Sequence, residues 1–221
     1  MTDRNASDGS TQRQLDELFS DFDPAAWPVI AESNQGLIVH VTTKTLNLAV
    51  KVPRGRGLMW HARRLSLLRE HAAYQKLTGI PGLPRCFGLF NGCHLALEYI
   101  QGLPLRQAVV PDQHAFYDRL RGILEAMHRR GVAHGDLKSR QNIMLTDSGA
   151  PVIVDLGTAV VRKNGWRPFN RWLFNYLCRI DFNGWVKHKY GSYDNIADHD
   201  RHHLRRTRIE RINNWVRRRI I

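Results

Sequence analysis

The sequence predicts an α+β fold in two lobes, a small strand-rich lobe followed by a helical one. β-Branched residues concentrate in short runs between Trp27 and Tyr99, and apolar stripes at helical spacing take over beyond Asp112. A chain of 221 residues with 43% apolar content is enough for one domain, or for two small lobes.

The elements follow in chain order. Residues 1–26 read as an acidic, partly disordered leader, the first fourteen of them without any pattern. From residue 27 to 221 the chain reads as one domain, with lobes over about 27–97 and 101–221. VIA, GLIVHVTT and LNLAVKV look like three strands, turning at Asn34-Gln35-Gly36 and near Thr43–Thr45. After the basic loop PRGRG, a helix from about Trp60 to Leu77 is stopped by Gly79 and Pro81. Two shorter strands come next, near Cys86–Leu89 and His94–Tyr99. Phe116, Leu120, Ile123, Leu124 and Met127 then mark a helix begun by Asp112 and ended by Gly131. HGDLKSRQNIML and PVIVDLG read as a loop and two short strands. Phe169, Trp172, Leu173, Tyr176, Leu177 and Ile180 mark another amphipathic helix, and a last one is expected over about Leu204–Ile221.

Charge is the compositional outlier, with 33 Lys and Arg against 20 Asp and Glu, a formal net charge of +13. Such an excess suits an anionic partner: a nucleotide, a nucleic acid or an acidic lipid surface. Three cysteines with no paired short spacing argue against a disulfide framework or a zinc cluster. The N-terminus lacks the charged-then-apolar layout of a signal peptide, and no apolar run is long enough to span a bilayer. A cytoplasmic location is expected, with attachment to the inner face of the inner membrane left open.

Five short signals carry chemistry. Lys51 closes LAVK at the end of an apolar strand, and Glu70 stands in the following helix segment LLREHAAYQKL. LALEYIQGLPL joins the two halves. Asp136 lies in HGDL, six residues before Asn142 and NIML, and Asp155 opens DLG after an apolar run. Singly each is ordinary: a lysine after a strand is usually solvated, and a helical glutamate usually exposed. His134 alone would more often be a satisfied core histidine. In this order and spacing they resemble the protein-kinase-like superfamily.

That resemblance implies an ATP-dependent phosphotransferase requiring Mg2+. It implies that Lys51 contacts the α- and β-phosphates and that Glu70 pairs with it. Leu97 would be the gatekeeper of the hinge, with the Glu98 carbonyl and the Ile100 amide facing adenine and Met144 lining the nucleotide site. Asp136 would orient the acceptor hydroxyl, Lys138 would neutralise the moving phosphoryl group, and Asn142 and Asp155 would bind the metal. Gly36 would belong to the phosphate-covering loop.

The departures from the pattern are specific. That loop has one glycine in place of three, and Gly135 replaces the arginine of HRD. One extra residue separates Asp136 from Asn142, putting Gln141 at the usual spacing; NIML restores the register in favour of Asn142. Only 64 residues follow Gly157, without an APE motif. A short second lobe of this kind resembles the atypical kinases. REHAAYQKLTGIPGLPRCFG and WLFNYLCRIDFNGWVKHKY are similar to the bacterial lipopolysaccharide-core (Kdo) kinase-like proteins, with the RIO kinases second. The implied acceptor is a lipid-linked core sugar, then a protein serine or threonine; a pseudokinase binding module and an RNA-associated kinase are the other readings.

No GxxxxGK[ST] is present. DHDRHH (Asp198–His203) reads as a polar helix start rather than a metal-dependent phosphohydrolase site, for want of partner histidines. From Arg162 to Ile221, fifteen Lys and Arg face five Asp and Glu, interleaved with Trp172, Trp185 and Trp215. This segment reads as a surface for anionic membranes, with a nucleic-acid-binding helix over Arg201–Arg219 or a solvated basic face as the alternatives.

Overall fold

The computed structural model describes residues 2–33, 36–193 and 195–204. It is an α+β structure in two compact units. The first comprises residues 1–71 and 86–99, the second 72–85 and 100–221.

The first unit is built on a five-stranded antiparallel sheet of β1 (Val29–Ser33), β2 (Gly36–Thr42), β3 (Asn47–Pro53), β4 (Cys86–Phe90) and β5 (His94–Glu98). The strand order is β1-β2-β3-β5-β4. The strands coincide within a few residues with the β-branched runs, because alternation along β2 and β3 gives the sheet one face to bury: Val39, Val41, Leu48 and Val50 share a core.

What covers that core corrects the expected leader. Helix α1 spans Thr2–Ser20, and its Leu15 and Phe19 are 1% and 2% exposed against the sheet. The Phe19 ring stacks on Phe90 with centroids 4.1 Å apart, and Asn91 Nδ2 donates to the Phe19 carbonyl at 2.8 Å. Two large side chains in a polar segment are too few for a periodic signal, yet burying both is worth on the order of 3–6 kcal/mol.

Helix α2 spans Gly57–Lys76, beginning three residues earlier than expected. Its last residues and the loop to Arg85 group with the second unit, where Ile153 N donates to the Gly82 carbonyl at 2.9 Å.

The second unit contains β6 (Gly102–Pro104), α3 (Gln113–Arg129), β7 (Val132–Ala133), β8 (Ile143–Thr146), β9 (Pro151–Ile153), β10 (Val160–Val161) and α4 (Pro168–Tyr190). Asp112 caps α3, its side chain accepting from Ala115 N at 3.0 Å, and all five expected stripe residues are buried. β6-β8-β9 form one small sheet and β10-β7 another. The stripe on α4 is only partly buried. Phe174, Ile180, Trp185 and Val186 face the core, whereas Phe169 and Trp172 are 72% and 59% exposed. The expected turn at Asn34-Gln35 and the basic helix beyond Leu204, with Trp215 and Arg217–Arg219, lie outside the described residues. Among the described residues no helix is long and apolar enough to cross a membrane.

Candidate functional site

The residues singled out in the sequence fall into two sets, one in each unit. In the first unit Lys51 sits in β3, opposite Ile38 on one side and Leu95 on the other. Strand alternation turns it away from the face that Leu48 and Val50 bury under α1. There its Nζ meets Glu70 Oε1 of α2 at 2.7 Å, with the two side chains 6% and 0% exposed. Neither charge is placed as a solvated residue would be. Such a pair is held by its own geometry, since either ion left alone in that position costs several kcal/mol.

Leu97 is buried in β5, between Ala49 and Cys86 on the neighbouring strands. Glu98 is exposed at the end of the same strand, and Ile100 opens the second unit. Gly36 pairs with Pro53 at the start of β2, where a Cβ would collide with the Val52 carbonyl oxygen. Close strand approach alone therefore accounts for a glycine there.

In the second unit, the short β7 delivers the chain from α3 into the loop His134–Asn142. Asp181 of α4, fully buried, organises its start. Its carboxylate accepts from His134 N at 2.8 Å, from Gly135 N at 2.9 Å and from His128 Nε2 at 3.0 Å. The His134 ring then bridges onward. Its Nδ1 accepts from Asp136 N at 3.2 Å, so the proton resides on Nε2, which donates to the Val154 carbonyl at 3.1 Å. Gly135 has φ 84°, and a Cβ there would stand 3.1 Å from the Thr158 carbonyl oxygen. An arginine at this position would be strained whatever its partner.

Asn142 closes the loop. Its Nδ2 donates to the Asp136 carbonyl at 2.9 Å and to Asp136 Oδ2 at 3.1 Å, and its carbonyl accepts from Val154 N at 3.0 Å. Of the two candidates in this register, Asn142 is buried and bonded to Asp136, while Gln141 is exposed. With Nδ2 turned to Asp136, the amide presents Oδ1 as its acceptor. Asp155 follows Val154 directly and holds φ 62°, ψ 76°, a left-handed conformation rare for a residue with a Cβ. Hydrogen bonds thus tie Asn142 to Asp136 on one side and to Val154, the residue before Asp155, on the other. Lys138 and Met144 are half-buried, Lys138 in the loop and Met144 in β8.

No protein-family model matches the chain.

As a donor set, Asp136, Asn142 and Asp155 offer hard oxygen atoms. Among the described residues no group of three or more His, Cys, Asp and Glu side chains converges. A cation here fits the manner of magnesium, which takes one or two protein oxygens and completes its shell with phosphates and water. Thiol chemistry fits less well. Burial pushes Cys86 up to about 11 and Cys178, helped by the neighbouring Asp181 charge, up to about 12, so neither is a thiolate near neutrality.

Asp181 is the residue that sequence reasoning missed. Its signal was available: an aspartate on the apolar stripe of α4, next to Ile180 and one turn beyond Leu177. DHDRHH forms a short 3-10 helix, Asp198–His203, with acids in its first turn. Within it Asp200 is buried, accepting from Lys189 Nζ at 2.7 Å and from the Tyr190 hydroxyl at 2.6 Å, as a structural peg would.

Proposed function

We propose that the chain is an ATP-dependent phosphotransferase with a protein-kinase-like fold, moving the γ-phosphoryl group to an acceptor hydroxyl. The observation that carries this reading is the hydrogen-bonded run from Asp136 through Asn142 to Val154, with the next residue, Asp155, in a left-handed conformation. The buried Lys51–Glu70 pair and the β1-β2-β3-β5-β4 order of the sheet support it.

In this reading Asp136 accepts a hydrogen bond from the acceptor hydroxyl and takes its proton as the oxygen bonds to the γ-phosphorus. The bond from that phosphorus to the β-bridging oxygen breaks, and ADP leaves with the electron pair. Lys138 offsets charge on the moving group, and Lys51 holds the α- and β-phosphates in the orientation Glu70 imposes. Asn142 Oδ1 and the Asp155 carboxylate would hold Mg2+, which would supply charge neutralisation for the phosphates. His134, hydrogen-bonded at both ring nitrogens, acts through position only. The favoured acceptor is a lipopolysaccharide core sugar, a choice resting on resemblance to the Kdo kinase-like proteins; a protein serine or threonine is second.

Two variants test the assignment. Asp136→Ala should abolish transfer and leave Mg-ATP affinity within about threefold, whereas Asp155→Ala should weaken Mg-ATP binding tenfold or more as well. Isothermal titration with Mg-ATP separates the two. Unchanged phosphotransfer in both variants would remove the reading.

A further inference from the structure

The expected amphipathic stripe on α4 does not bury its first turns. Trp166 is 92% exposed, Phe169 72% and Trp172 59%, an apolar exposure that a solvated helix start does not require. The surrounding charge has one sign: between Leu156 and Ile180 lie Arg162, Lys163, Arg167, Arg171 and Arg179, with no Asp or Glu. All five are exposed. Lys163, Trp166, Arg167, Pro168, Phe169 and Asn170 line a surface hollow of 390 Å³. The patch is braced from beneath. Asn170 Oδ1 accepts from Lys163 N at 2.8 Å and its Nδ2 donates to the Val161 carbonyl at 3.1 Å. Val160 and Val161 in turn pair with Ala133 and Val132 of β7, the strand that leads into His134.

We infer that this face, from Arg162 to Trp172, docks the protein onto a bilayer carrying anionic headgroups. Indole and phenyl rings flanked by arginines settle at the headgroup level, the rings among acyl carbons and the guanidinium groups on phosphates. A second copy of the chain is disfavoured, since it would bring the four cations of this face (Arg162, Lys163, Arg167 and Arg171) against the same four. A single-stranded nucleic acid needs open ring faces for its bases. Here Trp172 is stacked on Phe169 at 5.9 Å and on Tyr176 at 5.7 Å, so its faces are occupied within the chain and no row of open rings is presented. The docking stands without the phosphotransferase reading, and vesicle binding and ATP turnover fail separately.

The test uses the full chain with vesicles of phosphatidylcholine alone or mixed with phosphatidylglycerol, followed by co-sedimentation and tryptophan emission. Binding to the mixed vesicles at low salt is expected, with a blue shift, and its loss at high salt. The triple variant Trp166→Ala, Phe169→Ala, Trp172→Ala should keep the parent's thermal melt and lose at least about tenfold in affinity. Lys163→Glu with Arg167→Glu, which leaves every ring in place, should weaken binding by a similar factor. Three results would overturn the inference: indifference to anionic vesicles at low salt, variants that bind as tightly as the parent, or tight single-stranded RNA binding through the same residues with no vesicle binding.

Discussion

In the first unit a buried ammonium meets a buried carboxylate, Lys51 against Glu70, between sheet and helix. In the second unit one carboxylate holds a whole loop, since Asp181 gathers two backbone N–H groups and His128, and His134 passes the constraint on to Val154 and Asp136. The difference is one of kind. A buried ion pair can be removed as a unit and replaced by apolar groups of similar volume, so that neither charge is left alone. A hub cannot, because the backbone donors it satisfies remain when it is gone.

The largest effect should therefore come from Asp181. Asp181→Ala takes the carboxylate partner from the buried His134 N–H, the part-buried Gly135 N–H and the His128 imidazole, and about 3–5 kcal/mol of stability should be lost. Urea unfolding measures it; a loss under 1 kcal/mol would mean that water or a shifted loop takes over the carboxylate's role. Replacing His128 alone should not reproduce it.

Glu70→Ala should come next, at about 3 kcal/mol, from the same class of uncompensated buried charge. The sharper measurement is the double variant Lys51→Met, Glu70→Leu. It should regain most of that loss while leaving no phosphotransfer. A double variant as unstable as the single would show that the first unit, too, depends on its charges as a hub.

A smaller contrast lies inside the loop. Asn142→Ala removes two donated hydrogen bonds from a buried side chain and should cost about 1–3 kcal/mol, whereas exposed Gln141→Ala should stay within about 0.5 kcal/mol. Mg-ATP affinity should follow the same order. If Gln141 is the sensitive position in both measurements, the register is wrong by one residue.

The smallest effect is on pH dependence. His188 of α4 donates from Nε2 to the Leu137 carbonyl at 2.8 Å, and burial, aided by Arg140 and Lys187, holds its pKa below the ordinary 6.5. Burial does the same for His94 in the first unit. The native state thus binds fewer protons than the unfolded chain. The stability these groups contribute is fully present above about pH 6.5 and is lost as pH falls toward their depressed native values. The melting temperature should be flat near neutrality and decline below pH 6.5, less steeply in His188→Gln. A melting temperature unchanged down to about pH 5 would contradict both assignments.

Much of this was readable from residue types alone, for identifiable reasons. The strands announce themselves because β2 and β3 bury one face and must alternate, and α3 because its five apolar residues repeat at helical spacing between a capping aspartate and a glycine. Helix α1 was read as a leader because Leu15 and Phe19, the buried residues among its described side chains, make no period. The burial of Phe169 and Trp172 was misjudged because periodicity marks a face without saying whether anything covers it.

What the sequence by itself determined is chiefly local: the elements, the turn glycines, and the order and spacing of a short set of charged residues. Only the tertiary structure decided which of those charges are buried and what holds them. The partnership of Asp181 with His134 and Gly135 spans more than forty residues and leaves no periodic trace in the chain. Lys51 and Glu70, nineteen residues apart, became a dry ion pair only through the sheet and helix that exclude water around them. Desolvation and long-range hydrogen bonding depend on which segments pack together, and packing is a property of the folded chain.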